Sequence, residues 1–286
     1  MKTIKLLFIS MLLTIAVGCK QTKTSEKEIK TEQQSDASGY NYETVTNDPT
    51  GLRLYTLNNG LKVYLSKNTD EPKIQTYIAV RAGSNYDPKE STGLAHYLEH
   101  MVFKGTDKIG ALDWEKEKNY LDTISNLYEK HRAEKDADKK LIIYKEIDRV
   151  SLEASKHGSS GEYKKIVNSL GATGTNAHTW FEETVYKNKI PANELNKWLN
   201  LESERFSTLV LRLFHTELEA VFEEFNRGQD NDGRKRYAMM LKDLFPKHPY
   251  GQQSTIGTAA HLKNPSMVDI HNYFNKYYVP NNMAIV

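Results

Sequence analysis

His96, Glu99 and His100 stand in the order His-x-x-Glu-His inside the run Gly93-Leu-Ala-His-Tyr-Leu-Glu-His-Met-Val-Phe-Lys-Gly-Thr106. On a helix turning about 100° per residue, two histidines four apart lie about 40° from each other on one face, and Glu99 sits at the edge of that face. Two imidazoles and a carboxylate then converge on one point. Neutral imidazole is the commonest transition-metal ligand, so the pair can hold one zinc ion while the carboxylate takes a proton from a water activated there. The order inverts the better known His-Glu-x-x-His. With 9 His in 286 residues, chance matches to the three fixed positions number about 0.02 in a chain this long. The bland alternative is an amphipathic helix with two solvated histidines. Leu94, Leu98, Met101 and Val102 supply a core face at helical spacing under either reading.

A zinc ion held by two histidines needs a third protein ligand, with the fourth position left for water or substrate. The richest source is the segment His215-Thr-Glu-Leu-Glu-Ala-Val-Phe-Glu-Glu-Phe225. Its helical spacing predicts a buried stripe of Leu218, Val221, Phe222 and Phe225. Glu217 and Glu224, seven apart, fall within about 20° on one flank of the stripe but two turns, about 10.5 Å, apart, while Glu223 points nearly opposite. One ion cannot readily take both Glu217 and Glu224, and spacing alone leaves the choice between them open.

The segment from Gly93 to Thr106 closely resembles the active-site helix of the pitrilysin/insulinase-type zinc metallopeptidases, the inverzincin family that includes insulin-degrading enzyme and the mitochondrial processing peptidase. The resemblance extends over residues 52 to 286. It implies an α+β fold, a sheet with helices packed on it, forming half of a clamshell-type peptidase. Family members carry a Glu followed seven residues later by the Glu that ligates zinc, which implies His96, His100 and Glu224 as ligands of one Zn2+ per chain. Glu217 is then a carboxylate behind the ligands that orients a histidine or helps position water. Glu99 is implied as the general base. Ile166 to Thr179, with Asn176-Ala177, resembles a family segment ahead of a strand beside the active site, so Asn176 and Ala177 are expected to border the substrate by backbone pairing to an extended peptide. The interval from His100 to Glu224 is 124 residues, longer than is usual in the family.

The excess is accounted for by a helical insertion at about 110–160. There Tyr120, Leu121, Ile124, Leu127, Tyr128, Ile143, Ile147 and Val150 recur at helical spacing among many Lys and Glu, which predicts a charged helical hairpin. Ahead of the metal helix, 52–57 and 61–67 alternate like strands around Asn58-Asn59-Gly60, a hairpin signal, and a third strand is expected at 74–81.

The N-terminus reads differently. A basic start, an apolar run from Leu6 to Val17 too short to span a membrane, and small residues before Cys19 describe a signal peptide over 1–18. The end of that segment resembles a bacterial lipobox, with Cys19 as the lipidated first residue. Cys19 is the only cysteine, so no intramolecular disulfide is available. Residues 19–49, rich in Lys, Glu, Thr, Gln and Ser with almost no aliphatic side chains, are expected to be a flexible tether. The expected location is that of an exported lipoprotein, anchored to a membrane in the periplasm or at the cell surface.

The folded unit is then 50–286. A net charge of +2 gives no electrostatic case for nucleic acid. The expected activity is zinc-dependent endopeptidase cleavage of peptides or unfolded segments. The rival is a non-catalytic, peptidase-like subunit, and such family members usually lack one or more of the zinc residues, all of which are present here. The segment Tyr277 to Val286 resembles the family's Tyr-x-Pro-x-Asn-Met run, which begins a strand and continues into further structure. A strand start without continuation leaves an edge at Val286, so either the C-terminal part is truncated or something else covers that edge, and a homologous second half or partner subunit is expected to close the catalytic chamber.

Overall fold

A computed structural model describes residues 29–286. The expected signal segment and Cys19 lie outside the described residues. The eight strands are β1 (Thr31–Ser35), β2 (Asn41–Val45), β3 (Arg53–Thr56), β4 (Lys62–Leu65), β5 (Lys73–Val80), β6 (Thr173–Thr179), β7 (Thr184–Pro191) and β8 (Met283–Ile285). They form one mixed sheet in the order β1-β2-β3-β4-β8-β5-β7-β6. The helices that matter for the site are α1 (Leu94–Met101), α2 (Trp114–Ala133), α3 (Ala137–Ala154), α4 (Glu162–Ser169), α5 (Leu195–Ser207) and α6 (Phe214–Gln229), with α7 (Asp232–Leu244), α8 (Pro249–Gln252), α9 (Ala259–Leu262) and α10 (Met267–Tyr277) after them. The fold is α+β, as expected from the sequence. Among the described residues no helix is long and apolar enough to cross a membrane.

Alternation decides which face of the sheet is covered. In β5, Thr76, Ile78 and Val80 are buried while Lys73, Gln75 and Tyr77 are exposed, and in β7 Thr184, Tyr186, Asn188 and Ile190 are buried. Side chains two apart share a face, so one side of this part of the sheet meets the helices and the other, apart from buried Val185, is more open to solvent. Helix α1 packs on β6 and β7, and α5 on β7. Leu98 and Met101 of α1 are fully buried. Truncating a side chain like Leu98 to Ala costs about 2–5 kcal/mol, so the apolar face of α1 fixes the helix that carries the histidines.

The hairpin expected around Asn58-Asn59-Gly60 is present, with Thr56 opposite Lys62 and Gly60 at φ +86° in the turn. The expected flexible tether needs correction over residues 31–45. That stretch is the β1–β2 hairpin, pairing Thr31 with Val45 and Ser35 with Asn41. Its turn is closed by Asp36, whose Oδ1 accepts from the Ser38 and Tyr40 amides, each at 2.9 Å. Tyr42 anchors the pair, buried beside the Tyr55 ring and under the Arg53 guanidinium. Local turn chemistry and one aromatic anchor thus replace the aliphatic alternation that the sequence lacks.

The open edge expected at Val286 is also corrected. Strand β8 lies inside the sheet, parallel to β4 and antiparallel to β5, with Ala284 opposite both Lys62 and Ala79. The edge next to the site is instead β6, which among the described residues pairs only with β7.

The predicted helical hairpin is α2–α3, capped by Asp113 and Asp136. Its two ends meet, since Ala111 bridges Gly158 and the Ser159 amide donates to the Gly110 carbonyl at 2.7 Å. The hairpin is therefore a projection closed at its base. Leu121, Ile124, Tyr128, Ile147 and Val150 join the main core.

Candidate metal centre

Helix α1 starts abruptly. Gly93 precedes it at φ +88°, and a Cβ there would stand 2.5 Å from the Ile256 carbonyl oxygen, so the position needs glycine for both conformation and space. No side chain at Gly93 can cap the helix, and Asp87 does so from outside. Its two carboxylate oxygens accept from the Gly93 and Ala95 amides at 2.8 and 2.9 Å. Burial pushes the Asp87 carboxyl up to about 7, against the pull of those amide bonds.

The helix delivers His96 and His100 to one face, ring centroids 4.8 Å apart. Glu224 reaches them from α6, its Oε2 lying 3.7 Å from His96 Nε2 and 3.8 Å from His100 Nε2. One ligand atom from each residue lies within 4.8 Å of the others, and among the described residues this is the one such group of three. Those separations are too long for hydrogen bonds, so three electron-pair donors face one another without bonding. Two imidazole nitrogens and one carboxylate oxygen form the three-ligand donor set of a catalytic zinc site, and the residues fit the ion.

Electrostatics separates the two histidines. Burial, helped by the neighbouring His100, pushes His96 down to about 4, so its ring is neutral and its lone pair available. At His100 burial acts the same way, but Glu217, through hydrogen bond and charge, with Glu99 and Glu224, outweighs it and holds the ring above its ordinary value. His100 Nδ1 lies 2.8 Å from Glu217 Oε1. An ionised carboxylate only accepts, so in the neutral ring the proton sits on Nδ1 and Nε2 keeps the lone pair that faces Glu224. The other Glu217 oxygen pairs with the Lys104 ammonium. Burial of Glu217 is overcome by His100 and Lys104, and its carboxyl is held below the usual range.

The two glutamates between which spacing left the choice open stand differently. Glu224 faces both imidazoles, whereas Glu217 stands behind His100. Glu99 is buried at the edge of the same face, and its Oε2 accepts from the Thr179 hydroxyl at 2.6 Å. Burial raises its pKa and the Thr179 bond opposes the rise. Thr179 closes β6, which also carries Asn176 and Ala177 opposite Lys187 and Tyr186. Asn176 is exposed and Ala177 half-buried on this edge strand. On α6, Leu218 and Val221 are buried, while Phe222 and Phe225 are only half-buried, and Glu223 is exposed.

Sequence reasoning missed Lys104, Thr179 and Asp87. Lys104 carried a usable signal, since it follows His100 by four residues and α1 continues into a short 3-10 turn over Val102–Lys104. Thr179 and Asp87 reach the site from β6 and from a loop, where no local spacing points to it.

The profile of Insulinase (Peptidase family M16) matches residues 62–132. The zinc protease PqqE of Helicobacter pylori is 25% identical over 81% of this chain and 41% of its own length. Among solved structures, a protease from Helicobacter pylori superposes with a TM-score of 0.61 at 24% identity, covering 82% of this chain and 45% of that one. Pitrilysin gives 0.59 at 19% identity, covering 90% of this chain and 22% of its own. The chain spans less than half the length of the relatives it matches. Residues 62–132, which carry the inverted His-x-x-Glu-His helix, thus match the Insulinase (Peptidase family M16) profile, and the fold around them is that of the pitrilysin-like proteases.

Proposed function

We propose that the chain is the catalytic N-terminal half of a zinc-dependent metalloendopeptidase that hydrolyses peptides or unfolded segments. The observation that carries this reading is the convergence of His96, His100 and Glu224 on one point, with Glu99 buried at its edge. Zinc, when bound by these three residues, supplies a Lewis acid that polarises a peptide carbonyl and acidifies a water. Glu99 takes the proton of the attacking water and returns it to the leaving amine. Its buried setting favours holding that proton, and Thr179 keeps the carboxylate oriented. Glu217 and Lys104 fix the His100 ring. The edge of β6 at Asn176 and Ala177, which among the described residues is paired on one side only, accepts an extended substrate by backbone pairing.

A second, homologous half completes the chamber in this proposal, supported by the chain's covering only 22% of pitrilysin and 22% of the full periplasmic protease PqqL from Escherichia coli. The chain alone then binds zinc but turns over slowly. Lipid attachment at Cys19 would hold the enzyme at a membrane facing the periplasm or the cell exterior. The test is hydrolysis of a quenched peptide library by the chain, alone and with a complementary half. Zinc-dependent cleavage stimulated by that half is expected, and zinc binding without cleavage in either case favours the non-catalytic subunit.

A further inference from the structure

The helical projection α2–α3 reaches the metal centre through a buried guanidinium. Arg212, in the turn before α6, and Glu117, in the first turn of α2, have side chains only 1% exposed each. Arg212 uses all five of its N–H donors. Nε and one Nη2 hydrogen bind the two oxygens of Glu117 at 2.5 and 2.7 Å, and the second Nη2 hydrogen donates to the Thr106 carbonyl at 3.1 Å. Nη1 donates to the carbonyls of Lys104 and Ile109, each at 2.9 Å. The cavity for this group is made by absent side chains. A Cβ on Gly105 or Gly110 would lie 2.9 Å from Nη1, and one on Gly158 would lie 2.6 Å from Nε and 2.5 Å from the Glu117 carboxylate. Gly105 and Gly110 also hold φ of +93° and +87°. Three glycines from both sides of the projection's base thus open the space that one arginine fills.

The consequence lies at Lys104. Its carbonyl is held by Arg212, and its ammonium pairs with Glu217, whose other oxygen receives the His100 Nδ1 proton. From Glu117 to His100 the connection is continuous: every link is a charge-assisted hydrogen bond except the one through Lys104, which runs from its carbonyl along its own side chain to the ammonium. We propose that Glu117, Arg212 and Lys104 are positioning residues for His100, and that the projection's function at the active centre is to fix this imidazole's orientation and tautomer. The inference rests on the metal reading of the site. A buried ion pair adds little net stability but is costly to break on one side. Here it serves to hold one backbone carbonyl, and with it one lysine, in register with the metal helix.

The test measures zinc affinity by chelator competition and the His100 ring tautomer by nitrogen NMR in the metal-free chain at alkaline pH. Glu117→Gln and Lys104→Met should each weaken zinc binding about 10-fold or more, and should convert a single Nδ1–H tautomer of His100 into a mixture. In a Glu217→Gln background, neither change should weaken zinc binding further. Lys104→Met leaves the Arg212–Glu117 pair intact, so it carries the test if Glu117→Gln does not fold. Zinc affinity and tautomer both unchanged in folded Lys104→Met, or losses that simply add to that of Glu217→Gln, overturn the proposal. A wild-type chain that binds no zinc overturns the metal reading instead, and the tautomer measurement still decides the positioning claim.

Discussion

Glu217 Oε1 stands 2.8 Å from His100 Nδ1, on the side of the ring opposite the nitrogen that faces Glu224. Two carboxylates seven residues apart on α6 therefore divide one imidazole between them, one gripping its proton and the other facing its lone pair. The arrangement follows from helix geometry. Two turns of α6 separate the glutamates by about 10.5 Å, roughly what is needed to reach behind and in front of a ring held on the crossing helix α1.

That division predicts different losses. Glu224→Gln should empty the metal site. Glu217→Gln should keep zinc but weaken it about 10- to 100-fold, because the ring loses the acceptor that orients it. Zinc affinities from chelator competition check this, and a Glu217→Gln chain that holds no zinc while Glu224→Gln holds it would reverse the assignment.

Thr179→Val removes the hydroxyl that donates to Glu99 Oε2 and leaves the bulk of the side chain in place. A hydrogen bond to a charged group contributes about 1.5–3 kcal/mol. With a complementary half present, kcat should fall roughly 10-fold or more with KM and zinc content little changed. A Thr179→Val enzyme with wild-type kcat would show that Glu99 needs no such support.

The pH dependence of stability has a definite sign at His215. Burial holds its pKa below the ordinary 6.5, with Tyr128 Oη 2.7 Å from its Nδ1. The unfolded chain therefore takes up a proton at higher pH than the folded chain does. Stability from this residue is fully present above the unfolded pKa and is lost as pH falls through that value towards the folded one. Urea unfolding followed from neutral to mildly acid pH should show a shallower decline in His215→Gln than in the wild type. Identical slopes would mean that the ring is already protonated in the folded state.

Cys19 lies outside the described residues, and its proposed role is tested in cells. Cys19→Ala should release the protein from membranes into the soluble fraction, since a single lipid-modified anchor is the attachment proposed. A mature N-terminus beyond Cys19 in the wild type, without added lipid mass, is the opposing result.

The parts of the fold legible in the sequence were those with strong local patterns. The metal helix was readable because His96 and His100 share a face and Leu98 and Met101 point the other way. The α2–α3 hairpin was readable from the recurrence of Leu121, Ile124, Ile147 and Val150. The β1–β2 hairpin was not, because all five residues of β1 are exposed and Tyr42 alone is buried in β2, so no alternation marks either strand. Strand β8 looked like an open edge because its partners, β4 and β5, are more than 200 residues away in the chain. The Arg212 cavity was invisible for the same reason. Its walls come from Lys104, Thr106, Ile109 and Glu117, and only folding brings them to one guanidinium.

The central claim is that His96, His100 and Glu224 hold a zinc ion while Glu99 acts on protons without holding the metal. Metal content of the purified chain tests it most directly, measured for the wild type, Glu99→Gln and His100→Ala, with peptide hydrolysis by the same samples in the presence of a complementary half. General acid–base groups contribute about 10²–10⁴-fold. The account predicts one zinc per chain in the wild type and in Glu99→Gln, hydrolysis in Glu99→Gln reduced by a factor in that range, and no zinc in His100→Ala. Zinc lost equally from both variants, or absent from the wild type, would contradict it.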